Sequence, residues 1–218
     1  TMKRILILLC LPMIGFGQQT YVPDDNFEAY LEANGMGNGI PNDDYVTTAN
    51  INAVDTLSVS NILLSDLTGV EDFTALTYLD YIGHATYFLT NLDVSQNTAL
   101  KYLNCRYNRL TSLNVSNNTA LTYLDCYGNR LTSLDVSQNT ALTYLNISDN
   151  PGLFAGSFTY LDVSQNTALT TLYCHNNYLT TLNVNGAYSL DSLDCSNNQL
   201  ATLDVSNNTA LTYLDCSN

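Results

Sequence analysis

Positive charge is scarce in this chain. Its 218 residues include six Lys and Arg against 20 Asp and Glu, and two histidines. Lys3 and Arg4 stand at the start; the other four basic residues, Lys101, Arg106, Arg109 and Arg130, lie between positions 101 and 130. So acidic a chain excludes nucleic acid and anionic membrane as partners, because both select for broad basic surface. Histidine chemistry has two candidates, His84 and His175. Cys174 and His175 are neighbours on an extended segment, so their side chains point to opposite sides and form no nucleophile–base pair. The D-x-D-x-D-G pattern of an EF-hand is missing as well. These gaps argue against an enzyme and imply no cofactor and no metal. Hydrophobic content is 45%, too high for a disordered chain.

A long apolar run is also lacking. Ile5–Ile14 has ten residues, short of the ~20 that span a bilayer. Preceded by Lys3-Arg4 and followed by Gly15-Phe16-Gly17, it reads as a secretory signal peptide over residues 1–17. Its removal leaves four basic residues against 20 acidic ones, about −16. The expectation is a secreted or outer-surface protein with no membrane insertion after cleavage.

What the chain has in abundance is repetition. LKYLNCRYNRLTSLNVSNNTA starts at Leu100 and LTYLDCYGNRLTSLDVSQNTA at Leu121. Further copies begin at Leu142, Leu169 and Leu190, so the starts are 21, 21, 27 and 21 residues apart. Looser turns begin at Val54 and Leu76. The common phrase is L-x-x-L-x-C-x-x-N-x-L. Its period-two alternation around the second Leu predicts a short strand with Leu and Cys on one side. Strands repeated at a fixed interval stack in parallel ~4.8 Å apart. A lone turn buries too few side chains to offset its ordering entropy, so the turns must stack into a solenoid. Asn108, Asn129, Asn150, Asn177 and Asn198 form a structural column whose amides satisfy turn backbone groups. Cys105, Cys126, Cys174, Cys195 and Cys216 share one position, which Ile147 fills in the long turn. A slot that accepts Ile is apolar core, so buried free thiols are expected there.

These residues resemble a leucine-rich repeat protein over roughly 54–218. The resemblance implies a β-rich leucine-rich repeat solenoid of 21-residue turns with a parallel concave sheet. The LTSLDVSQNTA half should form the opposite wall, extended, with little helix. More narrowly, QQTYVPDDNFEAYLEANG, SDLTGVEDFTAL and LDVSNNTALTYLDC are similar to secreted leucine-rich repeat proteins of Bacteroidota, which commonly carry a type IX secretion sorting domain. The last phrase, LTYLDCSN (211–218), starts another turn and stops one residue before its turn Asn. Residue 218 therefore reads as a break in a longer chain.

Residues 18–53 lack the repeat and are expected to cap the solenoid. Pro23-Asp24-Asp25 ahead of NFEAYLEANG predicts a short helix with an Asp cap, stopped by Asn34-Gly35. Phe27, Tyr30 and Leu31 share the face that would close the core.

Candidate binding residues follow from alternation. The residue before the second Leu points away from the core: Tyr78, Tyr102, Tyr123, Tyr144 and Tyr213. Beside them the concave face should present Asn104, Arg106, Asp125, Tyr173, His175 and Asp194, with Arg106 pairing to Asp125 one turn on. Tyrosine supplies contact area at low entropy cost, so the row suits recognition; it also suits sheet stabilisation. Two turns carry insertions on one edge. One lies around His84, Tyr87 and Phe88, with His84 at the turn-Asn place; the other is around Leu153 and Phe154. The reading is a secreted or cell-surface adhesion or recognition module for a protein or glycan. Its rivals are a non-catalytic arm of a larger secreted enzyme and a passive surface-layer spacer.

Overall fold

The computed structural model describes residues 17–60, 62–84, 86–152 and 156–218. Residues 1–16 of the expected signal peptide, and Leu153 and Phe154 of the second insertion, lie outside the described residues.

The chain opens with strand β1 (Gln19–Tyr21), helix α1 (Asp25–Ala33), strand β2 (Tyr45–Thr47) and one helical turn, α2 (Thr48–Ile51). Helix α1 begins where the capping pattern predicts. Asp24 Oδ1 accepts hydrogen bonds from Asn26 N and Phe27 N, both at 3.1 Å. Its Oδ2 accepts from Ser65 N at 2.9 Å, tying the helix start to the first repeat. The helix stops at Asn34, followed by left-handed Gly35 at φ 73°. Phe27 and Leu31 are fully buried, and the Phe27 ring lies 6.4 Å from that of Phe73. The apolar face of α1 thus covers the first turn of the core.

Two features of this region were not anticipated. β1 and β2 pair antiparallel, with Thr20 opposite Val46. The acid Glu28 on α1 is 1% exposed. Its carboxylate accepts from Asp43 N and Asp44 N at 3.1 and 3.3 Å and so closes the Asn/Gly-rich loop.

The repeats then supply strands β3 (Thr56–Ser58), β4 (Tyr78–Asp80), β5 (Tyr102–Asn104), β6 (Tyr123–Asp125) and β7 (Tyr144–Asn146). They are followed by β8 (Tyr160–Asp162), β9 (Thr171–Tyr173), β10 (Thr181–Asn183), β11 (Ser192–Asp194) and β12 (Tyr213–Asp215). Eight of these form one parallel sheet in the order β12-β11-β9-β7-β6-β5-β4-β3. The central leucines stay in register throughout, Leu103 beside Leu124 and Leu145 beside Leu172. The 27-residue turn therefore leaves the register intact. Its second half holds β8, which pairs parallel with β10 in the second half of the next turn. Elsewhere the second half of each turn is a run of tight turns, extended with little helix, as its sequence suggests.

The core is a stack of identical layers. Leu, Val and Cys from both halves of each turn are buried, including Cys105, Cys126, Cys174 and Cys195 with free thiols. In β12, the last strand described, Leu214 is 42% exposed, and Cys216, expected among the buried thiols, is exposed.

Two columns of asparagine lock one turn to the next. In the first, each Nδ2 bridges two carbonyls: Asn129 reaches Cys126 O and Cys105 O, and Asn198 reaches Cys195 O and Cys174 O. Its Oδ1 accepts a backbone N–H of the preceding turn, as Asn108 does from Leu89 and Asn129 from Leu110. Asn218 joins at the end, accepting from Asn198 N at 3.1 Å. The second column, Asn97, Asn118, Asn139, Asn166 and Asn208, was not anticipated. Its Nδ2 groups also bridge carbonyls, Asn139 those of Val115 and Asn118. Its Oδ1 atoms are buried without a partner. Ala187 takes this place in one turn.

Candidate functional site

The outer face of the eight-stranded sheet is a grid with one strand per column. Its first row holds Tyr78, Tyr102, Tyr123 and Tyr144, in register across β4 to β7. Neighbouring rings stack at 4.2, 4.3 and 4.4 Å with interplanar angles of 9°, 9° and 5°. Parallel strands ~4.8 Å apart leave flat rings little other choice. The rings are consequently half-buried by one another, and they offer edges and hydroxyls where isolated rings would offer faces. Thr171 and Ser192 interrupt the row, and Tyr213 stands alone and exposed.

The second row runs Asp80, Asn104, Asp125, Asn146, Tyr173, Asp194 and Asp215. The sequence places Asn104, Asp125 and Asp194 of this row on the presented face; the structure differs at Asn104 and Asp125, which are buried along with Asn146, Asp125 to 1% exposure. Alternation sets which side of a sheet a residue faces, but neighbours decide whether water reaches it. Asn104 Nδ2 donates to Asp80 Oδ1 at 2.7 Å. Asp125 is covered by Tyr123, whose hydroxyl donates to Oδ2 at 3.3 Å, and it accepts from Tyr127 N at 3.0 Å. Burial raises the Asp125 carboxyl, and that effect outweighs Tyr127 N–H and Arg106, which lower it. Burial and the Tyr78 neighbour push the Tyr102 phenol up to about 12. Tyr123 is raised too, by burial and then by the Asp125 charge.

A third row lies just past the strand ends: Arg106, Tyr127, Ser148 and His175. Arg106 Nε is 3.8 Å from Asp125 Oδ2, the pair its spacing suggests, but too long for a hydrogen bond. Its guanidinium carbon sits 5.3 and 5.2 Å from the Tyr107 and Tyr127 ring centres. His175 Nδ1 meets Asp194 Oδ2 at 3.1 Å and Ser148 Oγ at 3.0 Å. Tyr173 turns its ring edge-on to Tyr144 at 5.9 Å. The sheet thus brings the sequence-named residues from Tyr78 to Asp194 onto one surface, and Tyr213 lies apart. Tyr107 and Tyr127 were missed, because they lie past the strands, between the Cys and Asn of the phrase, where alternation no longer gives direction.

On the insertion edge, His84 does not take the buried turn-Asn role. It is exposed, and its backbone pairs with Tyr87 in a small antiparallel bridge. Tyr87 is exposed and Phe88 half-buried.

The chemistry of this face is that of contact. Burial drives the Cys105, Cys126 and Cys174 thiols well up, and Cys195 to about 12, away from a nucleophilic thiolate. Among the described residues, one group of three carboxylates comes together, Asp25, Glu28 and Asp44, on the cap and remote from the sheet face. Glu28 there is already engaged by two backbone N–H groups. No helix of the described residues is long and apolar enough to cross a membrane.

Residues 98–139 match the model for leucine-rich repeats in two copies. No curated protein matches. Among solved structures, the chain is similar to the functional domain of InlJ from Listeria monocytogenes, described as including a cysteine ladder. Identity is 39% and the TM-score 0.65, over 92% of this chain and 48% of that one. A leucine-rich repeat protein of Leptospira interrogans is 25% identical with a TM-score of 0.61, over 70% of this chain and 40% of its own. An internalin C2 of Listeria monocytogenes, 17% identical, shares the fold with a TM-score of 0.60 over 91% and 99% of the two chains. The chain spans about half the length of the InlJ domain. The fold is a leucine-rich repeat solenoid.

Proposed function

We propose that this leucine-rich repeat chain is a secreted or cell-surface binding module, not an enzyme, and that it recognises a protein or glycan through the outer face of its eight-stranded sheet. One observation carries the reading: four stacked tyrosines, Tyr78 to Tyr144, lie beside a row of acids and amides and a third row with Arg106, Tyr127 and His175. The rows form a rigid aromatic and polar surface whose side chains lose little freedom on binding. The stacking also supports a second role for the same rings, holding the strands together. Residues 1–17 act as the secretion leader and 18–53 as the cap of the 54–218 repeats in this reading. Kinship with secreted Bacteroidota repeat proteins is part of it.

Replacing Tyr102, Tyr123 and Tyr144 together with Ser tests the reading, scored on arrays of glycans and surface proteins and on whole cells. Loss of a binding signal with the far-ultraviolet spectrum retained supports it. Unchanged binding by the folded variant rejects it.

A further inference from the structure

Two arginines of this acidic chain line a groove that the tyrosine face does not use. Arg109 and Arg130 share an open groove of about 440 Å3 with Phe88, Tyr107, Gly128 and Pro151, at the edge where the strands end. That volume is in the range of small-ligand sites. Among the described residues the ion pairs are those of Arg106 and His175, so neither groove arginine has a carboxylate within reach. The Arg109 guanidinium carbon lies 4.0 Å from the Phe88 ring centre, which fixes its plane and leaves its N–H groups available. On a chain of net charge −14, two unspent arginines one turn apart repel each other while acids abound elsewhere.

Tyr107 provides an independent sign. Its φ is 56°, a left-handed conformation that bulky side chains rarely adopt. The same column holds Gly128, Asp149, Asn176 and Asn197, all residues that tolerate it. Tyr107 is the misfit, and its ring is 46% exposed on the groove wall. Gly128 makes room for it: a Cβ there would lie 2.9 Å from the ring. Strain kept at a groove wall points to function.

Four backbone donors of the groove lining are already spent. Tyr107 N, Arg109 N, Gly128 N and Arg130 N are bonded to Tyr127 O, Leu89 O, Ser148 O and Leu110 O. The Asn108 and Asn129 amides serve the column. A peptide strand would find these four donors taken. A sugar ring bearing a carboxylate matches the inventory, with its anion to the guanidinium forks and its apolar face to Tyr107. The overall negative charge disfavours densely charged polyanions, so the charges must be sparse. We propose that this groove binds an acidic saccharide, a uronic-acid unit whose carboxylate is held by Arg109 and Arg130 against the Tyr107 ring. The site uses none of the residues of the tyrosine row, so its failure would leave the sheet-face reading standing.

The test is calorimetric titration of the full chain with trigalacturonate, its methyl ester and a Glu-rich peptide, at low and high salt. Trigalacturonate should bind, weakening with salt, and the ester should bind at least about tenfold more weakly. The double variant R109Q/R130Q should lose about tenfold or more. Both arginines lie on the surface, and an unchanged melting temperature would verify the fold. Y107N should weaken binding while raising the melting temperature, since Asn tolerates the left-handed backbone. Equal binding of acid and ester, indifference to R109Q/R130Q, or no trigalacturonate binding overturns the proposal. Binding of the peptide alone overturns the saccharide assignment, and a lower melting temperature for Y107N overturns the role given to the strained ring.

Discussion

Leu110 N donates to Asn129 Oδ1 at 3.1 Å, so a side chain of one turn completes the backbone of the turn before it. The same amide holds Cys105 O and Cys126 O at 2.9 and 3.0 Å. Asn129→Ala would strand a buried N–H and remove a bond from each carbonyl, costing about 2–3 kcal/mol. Asn139→Ala, in the second column, should cost only about 1 kcal/mol. Its Oδ1 has no partner to lose, and Ala187 already occupies the equivalent place. Urea unfolding midpoints of the two variants check the order; equal losses would refute the distinction.

The tyrosine row should contribute to stability in proportion to stacking. Tyr123 stacks on both sides, at 4.3 and 4.4 Å. Tyr123→Ala should lose about 0.5–1.5 kcal/mol per stacked pair beyond the buried area. Exposed Tyr188, outside the row, should tolerate Ala within about 0.5 kcal/mol. Thermal melts read both directly.

Two kinds of aspartate should respond to acid in opposite ways. Ser95 N and Ser137 N donate to Asp93 and Asp135 and hold these carboxyls below their ordinary value. Their contribution is present above the unfolded pKa, near 3.9, and fades as pH falls through the lower folded values. Asp125 is raised by burial, so its contribution is full below the unfolded value and is lost as pH rises through the folded one. At neutral pH Asp135→Ala should therefore lower the melting temperature and Asp125→Asn should not. The Asp135 difference should shrink at pH below about 3, which a pH series of melts would follow.

Thiol labelling under native conditions should leave the core column untouched. Cys105, Cys126, Cys174 and Cys195 are buried with raised pKa values. All four should react with a disulfide reagent only on unfolding. Cys126→Ile should be tolerated within about 1.5 kcal/mol, since Ile147 fills the same slot. Rapid native reaction of Cys126 would contradict the packing.

The repeat made most of the fold legible. Spacing alone placed Leu103, Cys105 and Asn108, because each serves one period of the stack. The α1 cap was legible from Asp24 and Asn34-Gly35, whose roles are local. The β1–β2 pair was not: three-residue strands carry no periodicity, and their pairing depends on the cap folding back. Burial of Asp125 and Glu28 was hidden for a related reason. Alternation and helical phase give direction, while exposure depends on Tyr123, Arg106 and the 43–44 backbone. The second asparagine column was visible in QNTA but carried no clue to a function until its Nδ2 bonds were seen. Tyr107 and Gly128 carry no mark in the repeat pattern, and a backbone angle distinguishes them.

The pairing of Leu145 with Leu172 across the 27-residue turn has a wider meaning. Whatever chain is added between β7 and β9, the strand that follows keeps its place. Length and surface pattern are therefore separable in this molecule. A turn can lengthen at its margin without moving a single tyrosine, and a residue on the face can change without retiming the coil.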